Sequence, residues 1–279
     1  MAHELSPDEV EQYRREGCLV VESVLGDEDL RRLDEAVREV TESAVGSDNQ
    51  AELIELEPDG DGSTHRVRRI LNPYYRHDAF RDVAHDARVV DRVESLIGGD
   101  LDLQHSKLNM KPAQVGSPVE WHQDLAYYPH TNDDVLAVLI YIDDASESNG
   151  CVQVLPRTHH RYFQHTHPGG EFAGRIVEPV DVEARTLPGP AGSAIFLHGL
   201  TPHSSLPNRS TTDRRTLIFA YRAGDAYPLH YGLVTAQDEA ICSPVRGRRA
   251  RHARLAGPPP IVPEIDGTSS LYDIQASNR

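Results

Sequence analysis

The sequence is short of the features that mark several large protein classes. Its 279 residues hold three cysteines, Cys18, Cys151 and Cys242, far apart and without Cys-x-x-Cys spacing. That excludes a disulfide scaffold and a cysteine-rich zinc site, and it fits a reducing compartment. No apolar run approaches the ~18 residues of a membrane span. Met1-Ala2-His3-Glu4-Leu5-Ser6 has no basic flank or apolar stretch, so no signal peptide is expected and the cytoplasm is the expected location. Basic residues are outnumbered: 28 Lys and Arg against 44 Asp and Glu leave a net charge of −16. Such a surface repels phosphate backbones and anionic lipid, so a small molecule is expected as partner rather than nucleic acid or membrane. Missing too are a Gly-x-Ser-x-Gly elbow, a His-Glu-x-x-His pair and a glycine-rich phosphate loop. The hydrophobic share is 38%, which permits a sizeable core.

Punctuation divides the chain. Ser6-Pro7-Asp8-Glu9 offers an N-cap, a proline at the first helical position and acidic residues in the first turn. It predicts a helix to about Arg15, stopped by Gly17, then a strand over Cys18–Val21. Gly26-Asp27 opens a helix from about Glu28 to Glu42, with Leu30, Leu33, Ala36 and Val37 at helical spacing. Residues 46–64 show no clear pattern. A calcium loop starting at Asp59 would carry Ile70 instead of Glu at its twelfth position, which excludes it. A further helix is predicted from about Asp82 to Leu96.

After Gly98, short apolar or alternating runs follow one another between Pro, Gly, Asn and Asp clusters. They are Leu101–Met110, Val135–Ile142, Cys151–Leu155, Ala194–Leu197 and Thr216–Arg222, and they predict a sandwich or barrel. Val135–Ile142 is apolar on both faces and predicts a central strand. The expected architecture is mainly β with flanking helices, as one domain over residues 1–279. It comprises a mainly helical support to residue 100, a β core over 101–226 and a C-terminal cover over 227–279. In that cover, the basic run Arg246–Arg254 is expected to be a solvated helix or loop rather than a lid.

The chemistry concentrates in Trp121-His122-Gln123-Asp124. On a strand, residues two apart share a face, so His122 and Asp124 would offer a nitrogen and a carboxylate to one point. With one distant histidine they form a facial triad with open positions, which suits non-haem Fe(II). The triplet alone is weak, because composition supplies roughly 2.4 His-x-acid matches in this chain. Its context is stronger. A turn and apolar strand, Ala191–Leu197, lead to His203-Ser204-Ser205, and Arg214 follows on the next strand. A hairpin would bring Arg214 to the metal pocket, where a buried guanidinium needs an anionic partner.

Three segments carry a resemblance: His122-Gln123-Asp124-Leu125-Ala126-Tyr127-Tyr128-Pro129, Ser148-Asn149-Gly150-Cys151-Val152-Gln153-Val154-Leu155-Pro156, and His203-Ser204-Ser205-Leu206-Pro207-Asn208-Arg209-Ser210. In this order they resemble the phytanoyl-CoA dioxygenase family, over roughly Ser6 to Ala226. The resemblance implies a double-stranded β-helix, a cupin-like jelly roll, with Fe(II) on His122, Asp124 and His203. It implies 2-oxoglutarate and O2 as cosubstrates, with the far carboxylate of 2-oxoglutarate on Arg214 and Ser205. Asn109 resembles a further cosubstrate contact and Lys107 a residue of the same pocket. Tyr127, Tyr128 and His130 are expected at the substrate mouth.

The resemblance leaves two positions to place. Arg157 stands where the family often has glycine, and Arg215 beside Arg214 could exchange roles with it if the register slipped by one. His198 is expected to be a packed residue or one that supports a ligand, and not itself the distal ligand. The pairs His159-His160 and His165/His167 are expected in surface loops.

The expected activity is hydroxylation of an unactivated C–H of a small metabolite, with release of succinate and CO2. Desaturation, epimerisation and ring closure begin with the same hydrogen abstraction and stay open. Asp124 speaks against halogenation, which needs that position free. A metal-dependent hydrolase would have no use for Arg214, and a non-catalytic binding or sensor module none for an open metal site.

Overall fold

Ser6 and Glu9 cap each other, side chain to backbone in both directions, and start α1 (Pro7–Glu16). Gly17 ends it at φ +77°, where its amide donates to the Tyr13 carbonyl. The computed structural model describes residues 3–48, 50–57, 66–166, 174–229, 243–248 and 250–259. After α1 come β1 (Cys18–Val21), α2 (Asp27–Ala44), α3 (Gln50–Leu53), β2 (Ile54–Leu56) and β3 (Val67–Leu71). Next are α4 (Asp78–His85) and α5 (Ala87–Ile97). The strands β4 (Leu101–Lys111), β5 (Val119–His122), β6 (Val135–Tyr141), β7 (Val152–Val154) and β8 (Arg185–Leu187) follow. Last are β9 (Ala194–His198), β10 (His203–Ser205), β11 (Arg214–Ala223) and β12 (Ser243–Arg246).

The strands form two antiparallel sheets. The larger runs β1-β9-β6-β11-β4-β3-β2, with β12 added along β4, and the smaller runs β5-β10-β7-β8. This is the jelly-roll sandwich the resemblance implies. β6 shows why it holds together. All seven of its residues are buried. Leu136, Val138 and Ile140 join the cluster under the helices, with Val37, Phe80, Val89 and Phe219. Ala137, Leu139 and Tyr141 join the cluster between the sheets, with Val152, Val154 and Leu197. Each large side chain buried this way contributes about 1.5–3 kcal/mol.

Several expectations need correction. The helix predicted over Asp82–Leu96 is two helices, because the Asp86 side chain accepts the Arg88 amide at 2.7 Å and caps α5. Within the unpatterned stretch, β2 pairs with β3, and both extend the large sheet. The first hundred residues thus supply helices and three strands. The basic run takes the loop form of its expectation: after Arg246 on β12 its described residues form no helix, and residues 251–254 are exposed. Arg246 on β12 pairs with Asp91 and Glu94, and Arg254 pairs with Asp225 and Asp134. The segment around Asp59, Cys242, His167 and most of the expected C-terminal cover lie outside the described residues. Among the described residues no helix is long and apolar enough to cross a membrane.

One charge pair is buried inside the large sheet. Arg222 and Asp102, 1% and 2% exposed, meet at 2.9 Å, and Arg222 also donates to the Ala226 carbonyl at 2.6 Å. Arg222→Met removes the guanidinium from beside a buried carboxylate. It is expected to cost about 3–5 kcal/mol, read as a lower urea midpoint with an unchanged slope.

Candidate active site

His122 is the last residue of β5, and His203 is the first of β10. The strands are antiparallel neighbours, and register places the two histidines opposite each other, ring centroids 4.1 Å apart. Asp124 is not on the strand, as the alternation argument had it. It opens a 3-10 turn, Asp124–Ala126, and the turn swings its carboxylate back toward His122. Asp124 Oδ1 lies 3.9 Å from His122 Nε2, and the donor atoms of His122, Asp124 and His203 all lie within 4.8 Å of one another.

The middle residue of the triplet holds the turn. Gln123 is fully buried. Its amide nitrogen donates to the Arg161 and Leu200 carbonyls at 2.8 and 2.6 Å, and its oxygen accepts from the Phe163 amide at 2.7 Å. Both imidazoles are oriented through Nδ1. That atom lies 2.8 Å from the Glu120 carbonyl in His122 and 3.0 Å from the Thr201 carbonyl in His203. A proton on Nδ1 leaves the Nε2 lone pair free to ligate. Burial, with His203 next to it, holds His122 well below the usual imidazole range, so it is neutral at pH 7. Two imidazole nitrogens, one carboxylate and open space beside them fit Fe(II).

The cavity floor is the β4–β11 ladder. Its rungs are Arg214 with Lys111, Thr216 with Asn109, Ile218 with Lys107, and Ala220 with His105. Arg214, 3% exposed, donates to Thr216 Oγ1 and to the Gly150 carbonyl, both at 2.6 Å. Arg215 takes the opposite face, ion-paired to Asp143 at 2.7 Å and Asp34 at 2.6 Å. Arg214 therefore shares the cavity with the two histidines, Asp124 and Ser205, and Arg215 does not.

Asn109 accepts from Arg69 Nε at 3.0 Å, and Arg69 also meets Glu55 at 3.2 Å. Burial and then Arg69 push the Lys107 amine down to about 8. Burial and then Arg214 push Lys111 down to about 6, and its amine donates to the Ser117 and Leu206 carbonyls. Tyr128 lines the cavity, edge-on to His105. Burial and the Asp124 carboxylate raise its phenol well above the usual range.

Other residues sit differently from expectation. Tyr127 stacks edge-on against His122 and donates its hydroxyl to the Gly174 carbonyl at 2.6 Å, so it is a buttress. His130 is 2% exposed, tied to the Tyr128 carbonyl and near Gln104, and it does not line the cavity. His165 is buried instead of on the surface and accepts the Gln123 amide at 3.3 Å, while His159 packs beside α1 against the Arg14 carbonyl. His198 packs among Tyr13, His159 and Asp133 and does not line the cavity, so it is the packed residue of the two alternatives. Arg157 holds φ +64°, a left-handed conformation that glycine takes without strain.

Sequence reasoning overlooked Gln123, Arg69, His105 and Lys111. A signal existed for the β4 set. Polar residues recur at 105, 107, 109 and 111, the period of one strand face.

Gly150 is the close approach that keeps Arg214 in place. Its φ is +77°, and an added Cβ would stand 2.2 Å from the Leu206 carbonyl oxygen. Gly150→Ala is expected to cost about 1–3 kcal/mol and to raise the 2-oxoglutarate KM. Thermal unfolding alongside steady-state kinetics separates the two effects.

A family model described as phytanoyl-CoA dioxygenase (PhyH) matches residues 13–216. The chain belongs to the phytanoyl-CoA dioxygenase family. Among its relatives is a probable alpha-ketoglutarate-dependent hypophosphite dioxygenase of Stutzerimonas stutzeri, 36% identical over 226 residues, 78% of this chain and 79% of the relative. An L-proline trans-4-hydroxylase of Streptomyces griseoviridis is 27% identical over 267 residues, 85% of this chain and 95% of the relative. The crystal structure of apo EctD from S. alaskensis superposes with a TM-score of 0.68 at 20% identity, covering 92% of this chain and 89% of that one. This member of the phytanoyl-CoA dioxygenase family is a non-haem Fe(II)/2-oxoglutarate-dependent dioxygenase, with O2 as its second cosubstrate.

Proposed function

We propose that the chain hydroxylates a small metabolite with Fe(II) held by His122, Asp124 and His203 and 2-oxoglutarate anchored on Arg214 and Ser205. The observation that carries this reading is the convergence of three donor atoms within 4.8 Å, in the cavity whose floor carries Arg214. Iron, when bound, supplies the oxygen activation that no side chain can.

The chain's own residues do the rest. The Glu120 and Thr201 carbonyls fix which imidazole nitrogen faces the metal. Asp124 adds a negative charge. Thr216 and the Gly150 carbonyl hold the guanidinium in the plane a carboxylate needs for two parallel hydrogen bonds. Leu139, Val152 and Ile218 line the cavity with apolar surface and exclude water from the reacting end. The two relatives named as a dioxygenase and a hydroxylase support hydroxylation over epimerisation or ring closure.

Two further parts of the reading have structural support. Cys18 and Cys151 are buried and free, in keeping with a cytoplasmic location. β1, β2 and β3 lie in the same sheet as Arg214, in keeping with one domain over 1–279.

Anaerobic titration of the Fe(II)-loaded protein with 2-oxoglutarate tests the proposal. A weak visible metal-to-ligand charge-transfer band is expected. Bound iron without the band overturns the cosubstrate reading and transfers its weight to the hydrolase or sensor.

A further inference from the structure

We propose that the prime substrate carries a single negative charge, a small carboxylate or monobasic oxyacid, and that Lys107 is the residue that binds it. The inference rests on the iron and 2-oxoglutarate reading above. It starts from a contrast. The chain carries a net charge of −16, yet its catalytic cavity is lined by Arg68, Arg69, Lys107, Lys111 and Arg214 against one carboxylate, Asp124. A cavity whose sign opposes that of the whole chain concentrates anions locally.

The cations differ in what they already hold. Arg69 is bonded to Glu55 and Asn109, Lys111 to two backbone carbonyls, and Arg214 to Thr216 and the Gly150 carbonyl. Lys107 has no hydrogen bond or ion pair among the described residues, although it lines the cavity. A half-buried cavity amine with no hydrogen-bonded partner gains from a new anionic one.

Position separates this partner from 2-oxoglutarate. Lys107 lies two rungs along the ladder from the Arg214–Lys111 rung, on the His105 and Tyr128 side. Four residues of strand put the Lys107 and Lys111 Cα atoms about 13 Å apart. Four C–C bonds give a five-carbon dicarboxylate a reach of roughly 5 Å between its end carbons. With one end on Arg214 and the other among the metal ligands, the cosubstrate does not also need Lys107.

Charge balance gives the same answer. The two positive charges of Fe(II) and that of Arg214 are cancelled by Asp124 and the dianionic cosubstrate. Glu55 cancels Arg69. Arg68 and Lys111 are held by contacts of their own, which leaves the ammonium of Lys107 for one monoanion.

The test uses the full chain loaded anaerobically with Fe(II) and 2-oxoglutarate. Calorimetry measures binding of propionate, dimethylphosphinate and the neutral propionamide to wild type and to Lys107→Met. The charge-transfer band is recorded in the same samples. Wild type is expected to bind at least one anion about tenfold or more tighter than the amide, and which anion wins distinguishes a carboxylate from a phosphorus oxyacid. Lys107→Met is expected to lose that preference and keep the band. Equal binding of anions and amide by wild type, or an unchanged preference in Lys107→Met, overturns the proposal. Loss of the band in Lys107→Met alone assigns Lys107 to the cosubstrate and also overturns it. Absence of the band in wild type is a separate result that removes the underlying cosubstrate reading.

Discussion

Asp124→Ala is expected to reduce product formation to background and to lower iron affinity by more than about 100-fold. The scale comes from the shell around a metal: losing a group that merely orients a ligand costs about 10–100-fold. In the proposed site Asp124 is a direct donor and the one carboxylate of the three. The fold should survive. The turn that carries Asp124 is held by Gln123 through three hydrogen bonds and by the Leu125 amide on the Gly199 carbonyl at 3.0 Å. Iron content after dialysis and succinate release are the measurements, with circular dichroism beside them. A folded Asp124→Ala protein that still hydroxylates would sink the assignment of the triad.

Arg214→Ala is expected to raise the 2-oxoglutarate KM by roughly 30-fold or more, since truncating one partner of a buried, hydrogen-bonded charge pair costs about 2–5 kcal/mol. The charge-transfer band should require correspondingly more 2-oxoglutarate. Arg215→Ala is the control one residue away. Its guanidinium bonds Asp143 and Asp34 on the other face of the sheet, so its loss should cost about 1 kcal/mol of stability and leave the cosubstrate KM in place. A variant pair with the reverse pattern would reassign the carboxylate site.

The candidate metal cluster was readable because His122, Asp124 and His203 each stand inside a segment with its own local signature. β6 was readable because a strand covered on both sides has to be apolar on both. The means of assembly was harder to see. A strand and a 3-10 turn can each bring residues i and i+2 together, and only the buried clamp of Gln123 selects the turn. β3 was hidden because Arg69, on the cavity side of Val67–Leu71, breaks the apolar alternation that marks a strand. His130 read as a residue of the substrate mouth and His165 as a surface one because no local pattern reveals that a backbone carbonyl two residues back satisfies each buried ring. The Asp86 break was a question of local against tertiary preference. The apolar spacing runs through it, while the side chain prefers to cap.

The strand order of the large sheet has a consequence for biosynthesis. β11 is central in space, between β6 and β4, but it is the last long strand among the described residues. Until residue 223 leaves the ribosome, β1-β9-β6 and β4-β3-β2 are two half-sheets with bare facing edges. Such edges pair with neighbouring chains, and joins between distant segments form slowly. A stalled or truncated chain ending before Arg214 would lack both the proposed cosubstrate anchor and the seam of the sheet. Yield in the cell should therefore depend on chaperone capacity during the final stretch of translation.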